Sequence, residues 1–313
     1  MKINLSCIFC CCAFLVFGQE EMTVLPAMEL LKEFDKVRDF TMGDSGTEAY
    51  FTIQSQTEEV SVISMSTKTG EKWGAPIIAS FSGTYKDMEP FMAPDGLRLY
   101  FVSNRPLHDS ISQTKDFDIW YVERLSKTGA WSEPINMGAP INSEHNEFYP
   151  AVAENGNFYF TGDRPDSKGE DDIFFSEFKN GNYLEPISMD ENINSEGFEY
   201  NAYISKDDSY LIFGGYNRED GQGSGDLYIS FKNDAGNWSK AKPLPQPINS
   251  KQMDYCPFMD EANSTLYFTS RRISNPKEPL HNMQSLRLFL DSYENGNSRL
   301  YMATLNISQL KAN

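Results

Sequence analysis

The chain has 313 residues, 45 of them acidic and 27 basic, a formal net charge of −18. A surface this acidic argues against nucleic acid and anionic membrane as partners. With 40% hydrophobic residues there is ample material for a buried core, and no low-complexity tract is present.

Met1 and Lys2 precede an apolar run from Leu5 to Phe17, which small Gly18 closes ahead of Gln19, Glu20 and Glu21. A basic start, a short apolar core and a small residue at its end read as a secretory signal peptide over 1–18, and the run is shorter than the roughly 20 residues a membrane span needs. Cleavage near Gly18 removes Cys7, Cys10, Cys11 and Cys12, so Cys256 is left alone and no intrachain disulfide can form. The mature chain, 19–313, is expected to be exported, to the periplasm or beyond, with no membrane insertion.

A repeat follows. Met42, Met92, Val152, Ile204 and Met259 each end a first strand, at spacings of 50 to 60 residues, a period that marks propellers and solenoids. Each unit then has an aromatic-rich second strand: Ala49-Tyr50-Phe51, Leu99-Tyr100-Phe101, Phe158-Tyr159-Phe160, Leu211-Ile212-Phe213 and Leu266-Tyr267-Phe268. Third strands open at Val60, Ile119, Ile173, Leu227 and Leu300, and turn residues separate all of them. An aromatic three residues before a proline marks the fourth strand at Trp73/Pro76, Trp131/Pro134 and Tyr183/Pro186. Proline cannot donate to a ladder, which suits an outer edge.

The units span about 37–86, 87–146, 147–198, 199–253 and 254–313, and the last lacks a fourth strand. Thr23 to Pro26 has the missing strand's offset, so the two chain ends are expected to join and close the ring, removing its free edges. The fold class is all-β, a five-bladed propeller of four-stranded antiparallel blades.

The pattern of acid, Pro, Pro94-Asp95-Gly96 turn, Leu-Tyr-Phe, Ser103-Asn104-Arg105, Asp118-Ile119, Trp-x-x-Pro and Ile141-Asn142-Ser143 resembles the WD-like repeats of the TolB-type β-propeller family. The resemblance covers about 37–305, and a six-bladed TolB-like ring is the alternative it brings. It implies an exported propeller and no single activity: such proteins serve as envelope interaction modules, as domains attached to peptidases, or in some cases as polysaccharide-degrading enzymes.

Asp87, Glu147, Glu199 and Asp254 precede the first-strand prolines or their equivalents; Arg105, Arg164, Arg218 and Arg272 close second strands; Asp118, Asp172 and Asp226 open third strands. Recurrence in successive units reads as structure: an Asp–Arg pair tying each 2–3 loop, with the first acid capping the inner strand, exposed pairs worth ~0–1 kcal/mol each. A functional residue should instead break the repeat. His108, His145 and His281 lie in loops of the same rim, as do Glu170, Asp171 and Arg287, and these six are the binding candidates. Arg287 belongs to the fifth unit's insert, Ile273 to Asn297, whose apolar stretch Leu286 to Leu290 suits a short helix or an extra strand.

No cofactor is expected; calcium, held by the acidic, glycine-rich loops Asp163 to Asp172 and Asn217 to Asp226, is the alternative. Trp73, Trp131, Tyr183 and Trp238 read as packing between blades rather than sugar platforms, and Cys256 as a half-buried, inert thiol. No Gly-x-Ser-x-Gly elbow is present, so no residue is assigned as catalytic. The function read from these features is a monomeric, non-catalytic module of the bacterial envelope that binds a protein or glycan. The alternative is a glycan-active enzyme, hydrolase or lyase, using carboxylates at the channel mouth.

Overall fold

Short strands rich in aromatic and β-branched residues, with neighbours on both faces, are buried along their length. Leu99, Tyr100, Phe101 and Val102 are all nearly inaccessible. The computed structural model describes residues 22–108, 114–276 and 278–312; the leader assigned to 1–18 lies outside them. Blade one comprises Lys36–Met42, Glu48–Gln54, Ser61–Thr69 and Ile77–Ile78. Blade two comprises Asp87–Met92, Arg98–Ser103, Asp118–Glu123 and Ile135–Asn136, and blade three Glu147–Val152, Phe158–Gly162, Asp172–Ser176 and Ile187–Ser188. Blade four comprises Phe198–Ile204, Tyr210–Tyr216, Asp226–Phe231 and Lys242–Pro243. Blade five takes Asp254–Asp260, Thr265–Ser270 and Arg299–Thr304, and its outer strand is Val24–Pro26.

The ring therefore closes through the two chain ends, with Val24 opposite Ala303 and Pro26 opposite Tyr301. Five blades, not six, complete the circle: the inner strand of blade five packs against that of blade one. The seam also explains why Arg299 stands where three other blades carry aspartate. Its guanidinium donates to the carbonyls of Lys32, Phe34 and Asp35 and so ties down the incoming chain. Among the described residues no helix is long and apolar enough to cross a membrane.

Outer strands are only two or three residues long, and in blades one to three they start after the proline. The aromatics ahead of them lie elsewhere than expected: Trp73 and Tyr183 sit in small hairpins off the third-strand end, pairing with Lys68 and Phe178. From there the aromatics bridge blades. Trp131 Nε1 donates to Tyr50 Oη of blade one at 2.8 Å, and Trp238 meets Tyr159 of blade three edge-on, with ring centroids 6.2 Å apart.

A clip recurs inside blades two to five. Asp87 pairs with Arg105 at 2.6 Å, Glu147 with Arg164 at 3.1 Å, Glu199 with Arg218 at 2.7 Å and Asp254 with Arg272 at 3.0 Å. Each arginine also lies over strand aromatics, for example Arg218 at 4.5 Å from the Tyr228 centroid. The four acids are wholly buried, which corrects the expectation of exposed pairs. Losing one partner of such a pair leaves an uncompensated buried charge and costs about 3–5 kcal/mol.

The Ile-Asn-Ser triplets complete the clip. Asn142, Asn194 and Asn249 hydrogen-bond the backbone of Ile119, Ile173 and Leu227 through both ends of the amide. The serine that follows donates to the clip acid, as Ser143 and Ser195 do to Glu147 and Glu199. The third-strand aspartates brace their own loops instead: Asp118 accepts from Lys115 and Asn136, Asp172 from Lys168 and Gly169 N–H, and Asp226 from Gln222 and Gly223 N–H.

Candidate functional site

Every innermost strand carries a β-bulge, with register shifts after Arg38, Met88, Phe148, Tyr200 and Tyr255. The next residue is in each case a non-glycine with positive φ: Asp39 at 60°, Glu89 at 57°, Tyr149 at 46°, Asn201 at 53° and Cys256 at 51°. Left-handed non-glycine residues cost of order 1–3 kcal/mol each and persist where the surroundings hold them in place. Three bulge N–H groups find a threonine on the preceding blade: Asp39 bonds Thr269, Glu89 bonds Thr52 and Asn201 bonds Thr161. Blade two has Val102 at the threonine position, and there the Tyr149 N–H donates to Glu89 Oε2 at 2.7 Å instead.

The bulges bring these five different side chains to the ring axis. Arg38 organises them, donating through Nε to Asp39 and through Nη2 to Glu89, both at 2.7 Å, with the Cys256 sulfur 3.7 Å away. Cys256 Sγ donates to Asp39 Oδ1 at 2.8 Å, while the buried Oδ2 has no hydrogen-bond partner among the described residues. Burial, reinforced by the nearby Asp39 charge and partly offset by Arg38, pushes the Glu89 carboxyl up to about 7. Burial, then Asp39, pushes the Cys256 thiol well up. The thiol is fully buried rather than half-buried, and protonated, so it is inert.

Above this hub opens a cavity of about 800 Å³. Arg38, Glu89, Asn201 and Tyr255 line it from the inner strands, and Phe117, Phe148, Phe198, Tyr200 and Tyr216 add an aromatic wall. Phe117 and Phe148 have ring centroids 5.5 Å apart, and Phe198 and Tyr216 5.8 Å. Asp171 enters from the 2–3 loop of blade three. Burial, with Asp163, Glu170 and Asp172 nearby, raises its carboxyl above the usual range. No hydrogen bond to that carboxyl is present among the described residues.

Of the six binding candidates, the cavity gathers Asp171 alone. His108, Glu170, His281 and Arg287 are exposed elsewhere on the surface, and half-buried His145 lies outside the lining. The insert does form a helix, Met283–Leu290, capped by Asn282 and Ser285, but it stays off the cavity. Among the described residues no group of three or more His, Cys, Asp or Glu is placed to hold a metal, and in the loops considered for calcium Asp172 and Asp226 are taken by backbone N–H groups. Arg38, Asp39, Glu89 and the aromatic wall were not singled out from the sequence. Their signal was available: the bulge residue falls three places before each first-strand anchor and differs in all five units.

No protein-family model matches this sequence, and no curated protein matches it. Solved structures match along nearly the whole length. A glycoside hydrolase superposes with TM-score 0.54 at 8% identity, over 91% of each chain. The catalytic domain of the GH62 α-L-arabinofuranosidase of Coprinopsis cinerea gives 0.52 at 12% identity, over 90% of this chain and 96% of that one. A putative TolB from Agrobacterium tumefaciens gives 0.48 at 13% identity, over 85% and 80%. At these identities the likeness concerns the fold alone. The expectation of a non-catalytic envelope module is nevertheless corrected: the solved structures that superpose along most of this chain include glycoside hydrolases, and the axis carries carboxyls that the repeat does not require.

Proposed function

We propose that the protein is an exported glycan-active enzyme, a glycoside hydrolase whose site is the cavity over the axial hub. The observation that carries this reading is that Glu89 and Asp171, both raised by burial, line one open cavity beside an aromatic wall. Glycoside hydrolysis needs such a pair, one carboxyl to protonate the leaving oxygen and one to act on the sugar's other face.

Glu89 suits the acid, because a carboxyl titrating near 7 still holds a proton at neutral pH. Arg38 and the Tyr149 N–H fix its position. Asp171, raised and without a hydrogen-bond donor among the described residues, is the second carboxyl, and the cavity's aromatic faces suit the C–H faces of a sugar. The leader read at 1–18 supports export.

Release of reducing ends from a panel of plant and microbial polysaccharides tests the reading. Glu89→Gln and Asp171→Asn should each lower kcat by about 10²–10⁴ with little change in thermal midpoint. NMR of the first product then shows whether Asp171 acts as nucleophile, with retention, or as base, with inversion. Turnover that survives both substitutions would refute the assignment.

A further inference from the structure

We infer that the glycan bound in this cavity carries a carboxylate, and that Arg271 recognises it. This deepens the hydrolase reading and rests on it for the identity of the cavity as a substrate site. Arg271 directly precedes a clip arginine, Arg272. At the same place in blades two and three stand Asn104 and Asp163, short side chains that accept backbone N–H groups from Lys86 and Asn146 and so tie the loop ahead of the inner strand. Blade five breaks this rule with a long cation that lines the cavity and reaches over the Tyr255 ring, 5.8 Å from its centroid.

The other charges around the cavity are committed. Arg38 divides its fork between Asp39 and Glu89. Lys86 faces Glu59 at 3.7 Å, and Glu58 is held by Lys36 at 2.6 Å. Arg271 has only its Nε bonded, to Ser298 Oγ at 3.3 Å. Its two terminal nitrogens have no hydrogen-bond acceptor and no ion-pair contact among the described residues, although the Glu58 carboxyl, held low first by its hydrogen bond to Lys36, also feels the Arg271 charge. In a chain with net charge −18, a half-buried guanidinium that lines a cavity with no acid in ion-pair contact is not there for want of acids to pair with. A planar guanidinium with two free parallel donors matches a carboxylate bidentately. The remaining acid of the wall, Asp171, belongs to blade three, separated from Arg271 by blade four, so an acidic sugar held by Arg271 need not face it. The substrate class that fits is a uronic-acid-bearing glycan.

Isothermal titration on Glu89→Gln, which keeps the cavity and stops turnover, should use uronic-acid oligosaccharides, each beside its carboxyl-reduced neutral counterpart. At least one acidic member should bind tenfold or more tighter than its reduced form. Adding Arg271→Met should abolish that preference, and adding Arg271→Lys should keep part of it, with thermal melts confirming that each variant is folded. Equal affinity for acidic and reduced forms, a preference that survives Arg271→Met, or binding of neither form overturns the inference. The two readings fail separately. Glu89-dependent hydrolysis of neutral glycans alone would sink the carboxylate and spare the hydrolase. An Arg271-dependent preference with no Glu89-dependent turnover would sink the hydrolase and spare the carboxylate.

Discussion

Asp87 and Glu89 lie two residues apart on the same inner strand, both acidic, both buried and both paired with an arginine, yet they belong to different regions. Asp87 is one of four equivalent acids, each closed off inside its blade by an arginine, a carbonyl and an aromatic face. Glu89 is one of five non-equivalent residues on the axis, held in left-handed backbone and exposed on one side to a cavity. The difference lies in the bulge between them, which turns the inner strand from a rule common to the blades into a position where each blade contributes a different side chain. In a repeat protein the blade interior answers to folding, and the axis is free to answer to chemistry.

The comparison breaks most visibly in stability. Asp254→Ala removes a clip acid and strands Arg272 in the blade, so it should cost about 3–5 kcal/mol, read from urea denaturation, while the folded fraction keeps its full activity. A clip variant that stayed stable but lost turnover would erase the distinction between the regions. Trp131→Ala comes next. The ring is half-buried between blades one and two, under Arg124 at 4.3 Å and bonded to Tyr50. A loss near the lower end of the range for large aromatics, about 3 kcal/mol, is expected, again with substrate affinity unchanged.

Most of the blade region was legible in the sequence because its residues recur. An aromatic-rich second strand, the arginine that closes it and the Ile-Asn-Ser triplet return at similar intervals, and the offset of Pro26 placed the closing strand. The pairing partners were less legible. Arg105, expected to pair with Asp118 across its 2–3 loop, pairs with Asp87 instead, and burial turned a weak surface pair into a strong constraint. The axis was nearly illegible for the opposite reason. Asp39, Glu89, Tyr149, Asn201 and Cys256 are five different residues, so no recurring motif flags them, and only the bulge shows that they meet. The histidines attracted notice as rare residues, but His108 and His281 are solvent-exposed loop residues.

A smaller effect sharpens the account of the axis. Asp39 helps to hold the Glu89 carboxyl up, and Asp39→Asn both removes that like charge and frees Arg38 to favour ionised Glu89. The folded-state pKa of Glu89 should fall. As Glu89 acts in its protonated form, the alkaline limb of the kcat/KM profile, expected near pH 7 in the wild type, should move to lower pH while the acid limb stays. The same raised pKa has a stability sign. The folded state binds the Glu89 proton more tightly than the unfolded chain, so stability falls as pH rises from the ordinary glutamate value towards 7. An unmoved alkaline limb in Asp39→Asn would remove Asp39 from the site.

The most direct test sets the two acids of the opening comparison side by side. Glu89→Gln and Asp87→Asn are assayed for reducing-end release at pH 6 to 7, per mole of folded protein, against the substrate the wild type turns over best. The account predicts that Glu89→Gln loses about 10²–10⁴ in kcat with its melting temperature nearly intact, while Asp87→Asn melts earlier and works normally once folded. Wild-type-like turnover by Glu89→Gln, or equal losses in both, would contradict the claim that the chemistry of this ring resides at its axis.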